Sequence, residues 1–332
     1  METPPKLPWK FRILLRLHSL ASFISRRSNI TVNRFLISFF DPKIPPSSKP
    51  HNDVSTHDVV LDSSRNLWFR LFFPSSSLVA NNVTLPVIVY YHGGGFVFFS
   101  ANSMAYDDLC RRLARDLRVV VVSVNYRLSP EHPYPIPYED GFEALKFLDS
   151  MDLDCGVFPV NVDLSRCFLA GDSAGGNLAH HVAVRASNYD FNKVKIKGLI
   201  AIQPLFGGEQ RTNSEIQFKE SPMLTLEQTD WSWKAFLPNG SDRNHPAAHV
   251  FGAGVKDMLS MTFPATLVIV GGRDQLQDWQ KRYYEWLKEA GKEVDLVEYP
   301  NAIHGFYAVP ELKDSSLLIK DATDFMHKHM AL

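Results

Sequence analysis

A serine stands between glycines in Gly171-Asp172-Ser173-Ala174-Gly175, directly after the apolar run Cys167–Ala170 and directly before a helical pattern from Asn177 to Ala186. In that context GxSxG marks a sharp strand-to-helix turn that lifts a serine hydroxyl clear of the backbone. Glycines on both sides let the chain bend, and the helix N-terminus offers free N–H groups and a positive dipole end where negative charge would develop. A purely structural turn uses the same residue types, so the pentapeptide acquires chemical meaning only with partners.

A second glycine group, His92-Gly93-Gly94-Gly95-Phe96, closes the apolar run Val87–Tyr91. With 18 glycines and 12 histidines among 332 residues, a His-Gly-Gly-Gly run is expected by chance about 0.002 times, so accident is set aside. A phosphate cradle would need GxxxxGK[ST], or GxGxxG opening a helix. Phe96-Val97-Phe98-Phe99 follows instead, which favours a hole for a short-lived oxyanion in an apolar pocket. A protonated serine is a poor nucleophile and needs a base, which in turn needs an orienting carboxylate. Asp274, in Gly271-Gly272-Arg273-Asp274, follows the run Leu267–Val270 and so falls at the carboxyl end of a strand, where sites of open α/β sheets lie. His304, in Asn301-Ala302-Ile303-His304-Gly305-Phe306, comes 30 residues later and after another strand-like stretch, Glu293–Tyr299. Asp278 competes with Asp274 for the acid's place.

The elements that must position these residues alternate from about residue 54 onward. Val54–Val60 and Leu67–Phe73 form an expected antiparallel pair. Continuous apolar runs at Val87–Tyr91, Val119–Val124, Cys167–Ala170, Leu199–Ile202 and Leu267–Val270 have the character of strands buried on both faces. Helical patterns cover Met104–Leu117, Glu139–Leu148, Asn177–Ala186, Leu276–Ala290 and Lys313–His329. The pattern specifies an α/β protein with a mostly parallel sheet flanked by helices. Loops are marked by Ser75-Ser76-Ser77 with Asn81-Asn82, and by the proline-dense stretch from Pro130 to Pro137. Residues 205–260 break the rhythm and have the look of an insertion capping the sheet, with Trp231, Trp233 and Phe236 on a helix.

The balance of 35 basic and 36 acidic side chains, net −1, excludes a nucleic-acid binder held by bulk charge. With 45% hydrophobic and 21% charged residues, neither disorder nor a membrane bundle fits. Cys110, Cys155 and Cys167 show no CxxC spacing and are read as reduced thiols of a cytosolic chain. The sequons at Asn29, Asn82 and Asn239 would matter only in a secreted one. Residues 4–40 contain no acid yet carry Lys6, Lys10, Arg12, Arg16, Arg26, Arg27 and Arg34. Ile13, Leu17, Leu20 and Ile24 share one helix face there. The face is too short and too charged for an integral membrane span, and a lid, a surface-lying helix or a targeting helix all match it.

Residues 86–310 resemble the hormone-sensitive-lipase family of α/β-hydrolases, and within it the plant carboxylesterases related to the gibberellin receptor. The resemblance is carried by His92-Gly93-Gly94-Gly95-Phe96, Tyr126-Arg127-Leu128-Ser129-Pro130-Glu131-His132, Gly171 to Asn177, Gly271-Gly272-Arg273-Asp274 and His304-Gly305-Phe306. The order Ser, Asp, His is also the chain order of α/β-hydrolase triads. The resemblance implies Ser173 as nucleophile, His304 as general base and acid, and Asp274 as its orienter. It further implies an oxyanion hole from the amides of Gly94, Gly95 and Ala174, on a loop shaped by Gly93. Asn33-Arg34-Phe35-Leu36 through Asp41 is similar to the lid region of the plant group. Residues 1–45 are therefore expected as an N-terminal lid, and 46–332 as the hydrolase domain, with 205–260 contributing a cap insertion.

The expected activity is hydrolysis of small to medium acyl esters through an acyl-enzyme, with a small-molecule ester as partner and neither cofactor nor metal. Two alternatives share the scaffold: a gibberellin-receptor-like hormone-binding protein, and a dehydratase or acyl-transfer enzyme. In the receptors the position matching His304 is not a histidine, so its presence here favours turnover. Arg127 and Glu131 are read as a structural ion pair below the site, His92 as a loop anchor, and His180 and His181 as packing residues. Trp231, Trp233, Phe98, Phe99 and Tyr126 are candidates to line an apolar pocket, and Asn244–His249 departs from the family's usual segment. The cytoplasm is the expected compartment, with the nucleus or an organelle as alternatives, and nothing in the sequence specifies an oligomeric state.

Overall fold

The computed structural model describes residues 8–330 apart from 76–77, 79–82, 154–155, 157, 159, 222 and 252–257. Lys6, Ser76, Ser77, Asn81, Asn82 and Cys155 therefore lie outside the described residues. Eight strands form among those described: β1 (Val54–Asp62), β2 (Leu67–Pro74), β3 (Leu85–Tyr91), β4 (Val120–Asn125), β5 (Val162–Asp172), β6 (Ile196–Ile202), β7 (Ala265–Gly271) and β8 (Val294–Tyr299). The helices are α1 (Trp9–Ser25), α2 (Arg34–Ser38), α3 (Met104–Leu117), α4 (Ile136–Ser150), α5 (Ala174–Ala186), α6 (Asn213–Gln217), α7 (Leu226–Phe236), α8 (Gln277–Glu289) and α9 (Lys313–Met330).

All eight strands lie in one sheet of order β1-β2-β4-β3-β5-β6-β7-β8. The pairs β1/β2 and β2/β4 are antiparallel and every later pair is parallel. Parallel strands need a crossover between them, and the helices supply it, covering both faces. Alternate side chains go to opposite layers. Val87, Val89 and Tyr91 of β3 meet Ala144, Leu145 and Leu178 of α4 and α5, whereas Ile88 and Tyr90 meet the layer of α3 and α9. On β7, Val268 and Val270 face Trp279 and Tyr283 of α8, while Leu267 and Ile269 face the α9 layer. A chain patterned this way has only one register that buries both sets. The expected strands and helices are all present, with ends that differ from the sequence reading by up to a few residues.

One sequence reading is corrected here. Arg127 does not pair with Glu131: its Nη2 and Nε donate to the buried Asp140 carboxylate at 2.7 and 2.9 Å. Glu131 instead accepts from Nε and Nη2 of Arg34, at 3.0 and 2.5 Å. The proline-dense loop turns Glu131 outward to the N-terminal segment while α4 brings Asp140 inward. The N-terminal helical pattern is present as α1, but its apolar face does not dock. Ile13, Leu17, Leu20 and Ile24 are exposed, and the small residues Ala21, Ser22 and Ser25 are buried instead. Ala21 packs with Val32, Ile37, Val97 and Ala235 in a separate small core.

Other readings stand as made. His180 is a buried packing residue and His181 a half-buried one, bonded to the Tyr283 hydroxyl and the Ala247 carbonyl. Cys110 and Cys167 are free and buried, and burial pushes the Cys167 thiol up to about 12. None of the described helices is long and apolar enough to cross a membrane.

Burial holds three histidines neutral, with His92 and His181 pushed down to about 3 and His180 well below its usual range. The unfolded chain protonates the same residues near the ordinary histidine value of about 6.5. Below that value it binds more protons than the folded chain, so acidification favours unfolding. The unfolding free energy should therefore be flat in this respect above about pH 7 and fall between about pH 6.5 and 5.5 by roughly 1.4 kcal/mol per pH unit for each proton taken up. Urea titrations at half-unit steps measure the slope, and a flat profile through that window refutes the assignment.

Candidate active site

The carboxyl ends of β3, β5, β6 and β7 carry the polar apparatus. At the end of β5 the chain reverses through Ser173, whose φ of 52° and ψ of −120° lie where a non-glycine residue is rare and strained. The strain is held by the surroundings. Ser173 N–H donates to Ile202 O at 2.9 Å, and its carbonyl accepts from Leu205 N at 2.8 Å. A Cβ on Gly175 would stand 1.9 Å from the Tyr91 carbonyl oxygen, so only glycine lets α5 approach β3 this closely.

The chain places the three distant side chains in one line. Ser173 Oγ lies 3.0 Å from His304 Nε2, and His304 Nδ1 lies 2.8 Å from Asp274 Oδ2. A carboxylate only accepts, so Nδ1 carries the proton and Nε2 is left as the acceptor for the hydroxyl. Ser173 and His304 are each 6% exposed and Asp274 is fully buried. Asp278, the rival acid, is elsewhere: its Oδ2 accepts from Ser214 N at the start of α6.

Gln203, at the carboxyl end of β6, was not singled out from the sequence. Its Nε2 donates to Asp274 Oδ2 at 3.1 Å and to Ile303 O at 3.2 Å, while its Oε1 accepts from Gly305 N at 2.8 Å. It therefore braces both sides of the histidine loop against the acid. Gln280 Nε2 and Leu276 N–H also donate to the Asp274 carboxylate, at 2.9 and 3.0 Å.

The glycine loop is tied to the serine turn by Asp172, another residue sequence reasoning missed. Its buried carboxylate accepts from the hydroxyls of Tyr90 (2.7 Å), Tyr106 (2.9 Å) and Tyr307 (2.7 Å) and from Gly93 N–H (3.0 Å). Burial raises the Asp172 carboxyl against the opposing effect of these phenols. Burial and the Asp172 charge push all three phenols up in turn, so they remain donors. A signal was present, because a tyrosine in a buried strand such as Val87–Tyr91 needs a partner for its hydroxyl. His92 anchors the same loop as expected. Its Nδ1 bonds Gly93 O at 2.9 Å, and its ring stacks on Tyr126 at 4.3 Å. Beyond it Gly94 adopts a φ of +98°, and a Cβ there would fall 2.4 Å from Phe98 O.

Ser173, His304, Gly94 and Gly95 open on a cavity of about 230 Å³. Its walls include Phe98, Phe99, Leu205 and Met223, and its N-terminal side is formed by Ser19, Ser22 and Arg26. Of the aromatic residues expected to line a pocket, Phe98 and Phe99 do so. Trp233 is buried in the core instead, tilted against Phe96 and Phe236, Tyr126 lies beneath the glycine loop, and Trp231 carries the Arg26 guanidinium. Asn244–His249 lies away from the cavity lining, with Ala247 O accepting from Asn177 Nδ2 at 2.8 Å.

Comparison with known proteins gives a consistent picture. A family profile described as "alpha/beta hydrolase fold" matches residues 88–308, and one described as "Carboxylesterase family" matches residues 45–130. Gibberellin receptor GID1C of Arabidopsis thaliana is 41% identical over 320 residues, 93% of this chain and 91% of the receptor. Carboxylesterase 20 of Arabidopsis thaliana is 36% identical over 294 residues, 86% of this chain and 88% of that protein. Among solved structures, the hyperthermophilic esterase of the archaeon Pyrobaculum calidifontis superposes with a TM-score of 0.73 at 28% identity, covering 99% of both chains.

Asp172→Ala would leave three phenol hydroxyls without their acceptor and the Gly93 amide with the Tyr106 hydroxyl alone, so it should cost roughly 3 kcal/mol or more of unfolding free energy, against about 1 for Tyr307→Phe. Urea denaturation of the two variants measures the difference. Equal costs would show that the carboxylate does not organise the cluster.

Proposed function

The chain belongs to the α/β-hydrolase fold family, in the group that holds plant carboxylesterases and gibberellin receptors, and from that premise we propose that it is a carboxylesterase. The observation that carries the reading is the unbroken hydrogen-bond line from Ser173 through His304 to Asp274 beside a glycine loop and a mostly apolar cavity. In this reading Ser173 Oγ attacks the ester carbonyl as His304 Nε2 takes its proton, and Asp274 stabilises the imidazolium. The amides of Gly94, Gly95 and Ala174 receive the developing oxyanion, each such donor contributing roughly 3 to 4 kcal/mol in the transition state. His304 then protonates the departing alcohol. A water activated by the same nitrogen releases the acid from the acyl-enzyme.

The cavity of about 230 Å³ suits a small to medium ester. Residues 1–45 act as a lid in this proposal and 205–260 as a cap, over a hydrolase domain of residues 46–332. Three links support the lid: Arg34 Nη2 donates to Ser129 O at 2.6 Å, Arg34 Nη1 donates to Val97 O, and the Glu131 carboxylate closes the clamp. A hormone-binding reading is favoured by one observation, the 41% identity to a gibberellin receptor across 93% of the chain. His304 speaks for turnover, since a pure binder has no use for a base aligned on the serine.

A fluorophosphonate probe should label Ser173, and the protein should hydrolyse p-nitrophenyl butyrate. Ser173→Ala should lose both properties, and His304→Ala should lower kcat/KM by about a thousandfold or more. Arg34→Ala should raise KM several-fold by loosening the lid. Undiminished hydrolysis by Ser173→Ala discards the mechanism, and equilibrium binding of gibberellin without turnover of any ester promotes the receptor reading.

A further inference from the structure

Arg26 ends α1, and its side chain is only 5% exposed. Its Nε donates to Ser22 O and its Nη2 to Glu227 Oε2, both at 3.3 Å. The guanidinium lies between the rings of Trp231 and Phe23, at 5.5 and 5.7 Å. Its Nη1 is buried and has no hydrogen-bond partner among the described residues. Arg26 lines the same cavity as Ser173 and His304. A guanidinium cannot shed its proton, so a buried N–H without an acceptor is costly and calls for one. Glu227 offsets little of the charge, because that carboxylate is 63% exposed and screened by water.

The other charged groups on the cavity wall do not oppose an incoming anion. Asp41 is neutralised by Lys43 Nζ at 2.5 Å and bonded by Ser103 Oγ at 3.0 Å, and Asp172 is enclosed by its tyrosines. Ser19, Ser22 and Gln228 line the same wall beside Arg26. An ionised acceptor completes the guanidinium with a charge-assisted hydrogen bond, stronger than a neutral carbonyl or hydroxyl provides.

We propose that Arg26 recognises a carboxylate carried by the substrate away from the scissile carbonyl, so that the chain acts on acidic esters such as dicarboxylic half-esters in preference to neutral esters of the same size. This rests on the esterase reading, whose reaction it leaves unchanged.

The test compares kcat/KM for mono-p-nitrophenyl glutarate with that for p-nitrophenyl butyrate, in the wild type, Arg26→Met and Arg26→Lys. The wild type should favour the charged ester. In Arg26→Met the charged-to-neutral ratio should fall about tenfold or more, as expected for losing one hydrogen bond to a charged group, and Arg26→Lys should retain part of it. Each ratio is taken within one preparation, so a smaller folded fraction cancels. The same ratio in wild type and Arg26→Met overturns the proposal, as does a wild type that prefers the neutral ester. If neither ester is hydrolysed and fluorophosphonate leaves Ser173 unlabelled, the esterase reading has failed. The anion site is then judged by tryptophan fluorescence titration with monomethyl glutarate against methyl butyrate. A preference for the acid that Arg26→Met abolishes sustains the site, and no preference ends it.

Discussion

The structure turns on the close approach of α5 to β3 beneath Ser173. The chain leaves β5 and enters α5 within one residue, which forces Ser173 into the left-handed region and presses Gly175 against the Tyr91 carbonyl. Such a reversal does not persist by itself, because the strain must be over-determined by neighbours. Here the neighbours are the strand ends. Ile202 holds the Ser173 amide and Leu205 the Ser173 carbonyl, so β6 and the segment after it clamp the turn from one side while β3 blocks it from the other. The same approach brings the glycine loop at the end of β3 beside the serine, and one constraint thus places both a hydroxyl and a set of backbone amides on the cavity.

What surrounds that turn is polar and buried, which is costly unless every group is satisfied. Asp172 and Gln203 meet the demand in complementary ways. Asp172 gathers hydroxyls from β3, α3 and the loop after His304, and it fastens Gly93. Gln203 joins the acid to the histidine loop through both ends of its amide. Three otherwise independent loops are thereby locked into one rigid unit, and the 2.8 and 3.0 Å contacts of His304 follow from that rigidity. A site held in its working arrangement before a ligand arrives spends none of the ligand's binding energy on reorganisation.

Most of this scaffold was legible in the sequence. Continuous apolar runs marked the buried strands, and GxSxG, the triple glycine, Asp274 and His304 were recognisable because each follows a strand at its carboxyl end. The missed features share a physical cause. Asp274 and Asp278 are four residues apart, and only the turn into α8 decides that one faces His304 and the other caps α6. Arg127 and Glu131 are also four residues apart and opposite in charge, yet the proline-dense loop sends one to Asp140 and the other to Arg34. Gln203 and Asp172 matter through partners some 70 to 135 residues away, contacts that no local pattern encodes. In α1 the apolar periodicity correctly predicted a helix but not which side docks, because small residues allowed closer packing than the large ones.

The N-terminal segment also bears on the difference between a binder and a catalyst on one scaffold. It contributes Ser19, Ser22 and Arg26 to the cavity wall, so the ligand surface is built from two parts with different tolerances. The sheet ends are bound by buried networks whose single deletions are costly. The N-terminal segment is held by a small apolar core and the partly exposed Arg34 clamp, where substitutions are cheaper. The cavity wall can therefore change by altering that segment while the Ser173–His304–Asp274 line beneath stays intact, and that line can be altered while the segment still walls the cavity. The similarity to receptors on one side and esterases on the other is what such a division of labour allows. On the proposed reading, the aligned Ser173–His304–Asp274 line beneath an N-terminal segment that presents one buried, unpartnered guanidinium N–H is the combination expected of an enzyme whose selectivity is set by that segment.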